Sequence, residues 1–306
     1  MKKTTFIAFL FLVINAYPQQ EPLFSQHYLN DMTINPAISG SQPYNSLTIQ
    51  TRQQWLGFEG APLSSKVSYH GSLNNRSAMG GYLMLDKAVP SMQINAHLNY
   101  SYHIPLDYDK VNLSFGLGTK IMYHNLDFNI SDLPPGYDVA FSASSHDKIL
   151  ADASSGVYLY AETFSFGFSV SNLFQSSFNT AVPGSPYGNI GYRNYYGTGS
   201  YRFGVFNADW KLEPSFLIRK MHFQSSLVDL SSRILYLENN WAGLTYRTDG
   251  SAVFAFGFGS NNIDISYSYD HTFAGEIMQY NSGTHELTIL FRINKFDLKR
   301  GVGLSY

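Results

Sequence analysis

After Ser46 the chain alternates apolar and polar residues with period two, segment after segment. Met92, Ile94, Ala96, Leu98, Tyr100, Tyr102 and Ile104 share one face, and Gln93, Asn95, His97, Asn99, Ser101 and His103 share the other. Val111–Tyr123 repeats the pattern, opposing Leu113, Phe115, Leu117 and Ile121 to Asn112, Ser114, Gly116, Gly118 and Lys120. Phe164–Ser171 and Ile263–Asp270 follow the same rule. Side chains on a strand point to opposite faces in turn, so each segment predicts a strand with one apolar face. Soluble sandwiches also alternate, but their strands usually hold about five or six residues. The runs here reach roughly 9–13, the length of a tilted strand that crosses a membrane.

Composition fits a wall that is apolar on one side only. Charged residues make up 14% of the chain, against about 25% in soluble domains. Mean hydropathy is nevertheless -0.16, far from that of a helical membrane bundle. The expected fold is all-β: a transmembrane outer-membrane β-barrel of about 14 antiparallel strands between residues 46 and 293, preceded by a short leader. An even count lets both termini lie on one side. If the first strand rises from the periplasm, the long connections Leu126–Asp152, Phe174–Gly191 and Thr272–Gly283 all fall outside. The short ones, such as Asn74–Ser77, Glu162–Thr163 and Glu238–Asn239, all fall inside, as barrels require. Tyr100, Tyr102, Tyr123, Trp210, Tyr236 and Trp241 stand near strand ends, where interfacial aromatic girdles are expected. The alternation is blurred in Tyr192–Val205 and Gln224–Leu237, and the sixth strand is expected over Ala153–Ala161.

The ends of the chain complete the organisation. Lys2 and Lys3 followed by Phe6–Ile14 read as a secretory signal peptide over residues 1–19. Its apolar run is about ten residues, half of what a spanning helix needs. Residues 20–45, broken by Asn35-Pro36 and Gly40, form a periplasmic or lumen-plugging leader, and residues 294–306 a periplasmic tail. Both termini of the mature chain are then periplasmic. There is no cysteine, which excludes disulfides, a thiol nucleophile and a lipidated anchor, so the barrel itself must hold the chain in its membrane. A net charge of -2 gives no electrostatic case for a nucleic-acid partner.

No residue pattern nominates catalysis, a cofactor or a metal. A barrel hydrolase would need Ser, His and a carboxylate converging at one edge. Ser68 and His70 share one inward row, but many polar pairs do, and no Gly-x-Ser-x-Gly elbow beside a helix occurs. His97 and His103 are six residues apart on one strand, roughly 20 Å, too far to chelate together. His146-Asp147 and His271 read as solvated polar residues. The inward rows carry Arg52, Lys66, Lys120, Lys211, Glu213, Arg219, Asp264, Asp270, Glu286 and Arg292, which suit either cross-lumen ion pairs or a polar pore.

Several segments are less generic. Phe24-Ser25-Gln26-His27-Tyr28, Asn35-Pro36-Ala37 with Gly40, and Arg52-Gln53-Gln54-Trp55-Leu56-Gly57-Phe58-Glu59-Gly60-Ala61-Pro62 open the set. Val170-Ser171-Asn172-Leu173-Phe174, Leu212-Glu213-Pro214-Ser215, Trp241-Ala242-Gly243-Leu244-Thr245-Tyr246-Arg247 and Gly283-Thr284-His285-Glu286-Leu287 continue it in order. Together they resemble the PorP/SprF family of outer-membrane proteins of the Bacteroidota type IX secretion system. The chain departs from the family pattern in its extra segment to Tyr306 and in His27, where the family more often has Tyr. The resemblance implies a non-enzymatic partner for a large secreted protein with a gliding-motility-type carboxy-terminal signal domain, in export or as a surface anchor. It also implies contacts with periplasmic ring or peptidoglycan-binding components of the same machine, and no catalytic residues. The rival expectation is a solute or hydrophobic-ligand channel. Candidate partner-binding residues are Trp55, Phe58 and Glu59 in the first connection, with Tyr137, Phe141, Phe178 and Tyr187 in the long loops. Trp55 and Phe58 either pack back into the barrel mouth or form a docking surface, since a solvated loop has no reason to hold large aromatics.

Overall fold

Backbone groups facing lipid must be satisfied within the protein, which for strands means a closed sheet. The computed structural model describes residues 22–57, 60–89, 91–106, 110–126, 148–178, 189–221, 225–273 and 282–293. Its wall comprises β1 (Asn45–Gln53), β2 (Leu63–Ser72), β3 (Ser77–Ala88), β4 (Ser91–Pro105), β5 (Val111–Leu126), β6 (Lys148–Ala161) and β7 (Phe164–Ser171). It continues with β8 in two pieces (Asn194–Tyr201 and Phe203–Val205), β9 (Asn207–Met221), β10 (Leu227–Tyr236), β11 (Asn240–Arg247), β12 (Ser251–Gly259), β13 (Ile263–Thr272) and β14 (Thr284–Ile293). Each strand pairs antiparallel with the next, and β14 pairs back onto β1 from Asn45↔Ile293 to Gln53↔His285. The result is a closed barrel of 14 strands, as the alternation predicts. A two-residue ladder, Ser177–Phe178 with Asn189–Ile190, stands apart from it.

The two faces are inverted relative to a soluble protein. Leu83, Leu98 and Leu117 point out, each more than 60% exposed, while Gln50, Asn95, Ser101, Ser114 and Thr288 point in and are almost fully buried. All six connections from an even to an odd strand are short; Glu162–Thr163 and Phe206 are the tightest. The strand ends that bound the long connections 54–62, 127–147, 172–193 and 273–283 lie at the opposite end. These ends are called here the short-turn end, where Tyr44 enters β1 and Ile293 closes β14, and the long-loop end.

Three expectations are corrected. β6 begins at Lys148 rather than Ala153, because its ladder with β5 extends out to His124↔Lys148. β8 is broken at Arg202 and β10 starts only at Leu227. At the break, the Arg202 N–H donates to Thr163 O at 2.6 Å and the register against β9 shifts between Gly204 and Val205. Trp241 is not a girdle residue: it is 8% exposed and faces the lumen. It shares the inward parity of Thr245 and Arg247, and a Cβ on its neighbour Gly257 would fall 2.4 Å from the indole nitrogen. The absent side chain makes room for the ring. Tyr100, Tyr102 and Tyr236 do lie on the outer face, and Tyr236 packs against Trp210 at 4.7 Å.

Candidate functional site

The lumen of this barrel is built from two parts, the inward rows of the wall and residues 22–44. The latter form three single 3-10 turns, His27–Leu29, Asp31–Thr33 and Pro36–Ile38. Such tight turns leave many backbone groups without partners of their own. The wall supplies those partners. Ser114 Oγ donates to Ala37 O at 2.6 Å, Ser101 Oγ to Ser39 O at 2.6 Å, and Ser169 Oγ to Ile34 O at 2.9 Å. The Asn99 amide donates to Met32 O at 3.3 Å, and His70 Nδ1 accepts the Gly40 N–H at 3.0 Å. Each such group left buried and unpaired would cost about 1–3 kcal/mol, so the small polar inner face is matched to this segment. Phe24, Met32, Ala37 and Ile38 pack with Tyr82, Met84 and Tyr158 into an apolar cluster inside the barrel.

A bare patch of wall receives the tightest bend. Asn35 Oδ1 accepts the Ala37 N–H at 3.0 Å, fixing the turn through Pro36, and the Asn35 amide donates to Val157 O at 3.0 Å. Beneath the bend, Gly116 of β5 and Gly156 of β6 face each other in register. A Cβ on Gly116 would meet Ala37 N at 2.1 Å, and one on Gly156 would meet Asn35 Oδ1 at 2.0 Å. A Cβ on Gly167 of β7 would sit 3.0 Å from Asn35 Nδ2. Three adjacent strands thus open one saddle for one Asn-Pro step.

Charge is arranged on the opposite wall. Arg52 pairs with Asp270 at 3.2 Å and approaches Glu286 at 4.0 Å, while Arg247 pairs with Asp229 at 2.9 Å and approaches Asp270 at 3.6 Å. Two arginines therefore face three buried carboxylates. The deficit is met by residues 25 and 26: the Ser25 and Gln26 N–H groups donate to the two Glu286 oxygens at 2.7 and 3.0 Å, and Ser25 Oγ donates to Asp270 at 2.5 Å. Removing one partner of a buried pair strands the other, at a cost of about 3–5 kcal/mol. Arg247→Ala, which orphans Asp229, should accordingly lower the temperature at which the folded barrel converts to the unfolded form on gels, whereas Lys87→Ala at the exposed long-loop end of β3 should not.

A second group lies toward the short-turn end. Arg233 stacks 4.1 Å from the Tyr28 ring centroid and 5.4 Å from that of Trp241, and is bonded to Glu213. Glu213 also accepts from Arg202 Nε at 2.7 Å. Burial pushes the Tyr28 hydroxyl well above its ordinary range, with Arg233 opposing the shift, so Tyr28 stays neutral. Below it opens a cavity of about 1090 Å³, lined among others by Tyr28, Asp31, Tyr44, Tyr160, Arg202 and Arg233.

The residues expected to bind a partner are only in part described. Trp55 is half-buried with a left-handed backbone (φ 50°), and its N–H donates to Thr284 Oγ1 at 3.3 Å. Leu56 exchanges backbone bonds with Ser282 and Gly283, tying the first connection to the start of β14. Phe178 contributes backbone to the two-residue ladder. Phe58, Glu59, Tyr137, Phe141 and Tyr187 lie outside the described residues, as does the signal-peptide segment. Other singled-out residues have structural partners. Ser68 Oγ donates to Asn30 Oδ1 at 3.1 Å, His97 stacks on Tyr82 at 4.0 Å, and His103 Nδ1 lies 2.9 Å from the Tyr160 hydroxyl. Among the described residues no three His, Asp or Glu side chains converge as metal ligands would. What residue reasoning missed is the seat of residues 22–40, whose signal was the inward glycines facing the Asn-Pro step.

Residues 16–291 match the family described as type IX secretion system membrane protein PorP/SprF. No curated protein sequence matches the chain. Among solved structures, the toluene transporter TodX of Pseudomonas putida superposes with a TM-score of 0.51 at 11% identity, covering 87% of this chain and 93% of that one. A TodX deletion mutant described as a monoaromatic hydrocarbon channel gives 0.51 at 10% identity, covering 87% and 94%. The outer membrane protein Omp33 of Acinetobacter baumannii gives 0.46 at 6% identity, covering 83% and 100%. At such identities the likeness is one of fold, that of an outer-membrane barrel.

Proposed function

The chain belongs to the PorP/SprF family of type IX secretion system membrane proteins, and from that premise we propose that it holds or escorts one large secreted protein at the cell surface. The barrel sits in the outer membrane with its short-turn end in the periplasm and its long-loop end outside, the arrangement general to such barrels. The cargo, a protein with a type IX carboxy-terminal signal domain, meets the long-loop end. Periplasmic ring or peptidoglycan-binding components meet the short-turn end. The chain is not an enzyme.

The observation that carries this reading beyond the family is the filled lumen. Met32, Ala37 and Ile38 are almost fully buried among inward side chains of β3, β5 and β6, where a solute path would have to run. A barrel whose interior is occupied in this way is suited to present a surface rather than to pass solutes. The first connection is the candidate cargo seat, because Trp55 and Leu56 are fixed to β14 while Leu56 remains 45% exposed. Exposed apolar residues on a rigid support are what a docking surface needs.

The test is surface display. W55A combined with F58A should abolish display of the co-expressed cargo on intact cells while the barrel keeps its shift between folded and heated forms on gels. Normal display with a folded double variant sinks the assignment of the seat. Failure of the wild-type barrel to co-purify with any protein carrying the signal domain sinks the escort reading itself.

A further inference from the structure

Residues 22–44 enter and leave the lumen at opposite ends. At one extreme, the Ser25 and Gln26 amides bond Glu286, two residues inside the long-loop end of β14 at Thr284. The Ser25 hydroxyl bonds Asp270, two residues inside the corresponding end of β13 at Thr272. Lys66 Nζ lies 4.1 Å from the Phe24 ring centroid, three residues inside the end of β2 at Leu63. Pro22 and Leu23, both half-buried, border a small void with Tyr196 and Arg219, two residues inside the same end of β8 and β9. At the other extreme, Ser39 bonds Ser101 and His103, and Gly40 bonds His70, each two to four residues from the short-turn ends of β4 and β2. At about 3.3 Å of rise per residue, Phe24–Gln26 lie within roughly 10 Å of the long-loop rim.

We propose that this leader begins at the long-loop mouth: Pro22 and Leu23, both half-buried, open toward the side on which the cargo is held, and Phe24, Ser25 and Gln26 are buried beneath them. The same segment ends at the short-turn rim at Tyr44, so one stretch of about twenty residues meets both sides of the membrane. If a signal peptide is removed near residue 19, as the sequence predicts, the few residues preceding Pro22 reach at most about 3.5 Å each, too little to return down the lumen, and the mature amino terminus then faces the cargo side. This departs from the expectation that both termini are periplasmic. It rests on the barrel orientation given above but not on the identity of the cargo.

The absence of cysteine makes the test direct. Single substitutions P22C, V89C and N75C report the leader, the β3–β4 turn at the long-loop end and the β2–β3 turn at the short-turn end. Intact cells are treated with a membrane-impermeant maleimide, before and after permeabilisation, and L23C serves as a second leader reporter should P22C disturb its seat. The expected result is that V89C, in an exposed turn, labels readily in intact cells, that P22C labels there too but more slowly because residue 22 is half-buried, both with no gain on permeabilisation, and that N75C labels only afterwards. Leader thiols that label only on permeabilisation, or not at all, overturn the inference. If V89C and N75C exchange behaviour, the orientation itself falls, and the cargo-side assignment with it.

Discussion

Gly116→Val should unseat residues 22–44 while leaving the wall closed. The added Cβ would lie 2.1 Å from Ala37 N and 2.4 Å from the Pro36 carbonyl carbon, both backbone atoms that cannot rotate aside. Overpacking of this kind costs about 1–3 kcal/mol when side chains can shift and more when backbone must move. Here movement also breaks the Asn35–Ala37 turn and the Ser114 bond to Ala37 O, so the leader loses several contacts together. The strand ladder does not depend on them, because β5 pairs with β4 and β6 through its backbone along its whole length. The measurement is limited proteolysis of the folded barrel in detergent. The variant should be cut within the leader under conditions that leave the wild type whole, and both should still migrate as folded barrels when unheated. A variant as resistant as the wild type would mean that the saddle does not hold the leader.

How much of this could be read from residues depends on how local the determining pattern is. The strand Met92–Ile104 was legible because thirteen residues alternate without interruption, and β4 runs Ser91–Pro105. The inward charges were legible as a class, since parity alone puts Arg52, Asp270 and Glu286 on the lumen side. Their pairing was not, because it joins positions more than two hundred residues apart. Gly116 and Gly118 read equally well as lumen filler. Only the register of β5 against β6 across the connection 127–147 brings Gly116 opposite Gly156 beneath Asn35. Trp241 failed for the converse reason. Its place near a strand end suggested a girdle, although its parity with Gly243, Thr245 and Arg247 already placed it inside.

Deleting residues 22–40 should turn a closed barrel into a conducting one. An eight-stranded barrel is about filled by its own side chains, whereas 14 strands enclose a lumen that the wall alone cannot occupy. Here the difference is made up by the leader, and a cavity of about 1090 Å³ already exists beside it. The exposed inner face is not hostile to water: Gln50, Asn99, Ser114 and Ser268 would exchange their partners in the leader for solvent. Glu286 would lose the Ser25 and Gln26 amides but regain hydration, so the wall should survive with reduced thermal stability rather than fail to form. In planar bilayers the full chain should give no steady current, and the deletion variant stable steps of conductance. Equal conductance from both would mean that the leader does not close the lumen, and would favour the solute-channel reading over the escort. A silent deletion variant that remains folded would place the barrier in the wall instead. Cargo display by the same folded variant should persist, because the first connection, the proposed seat, is tied to the start of β14 and not to the leader.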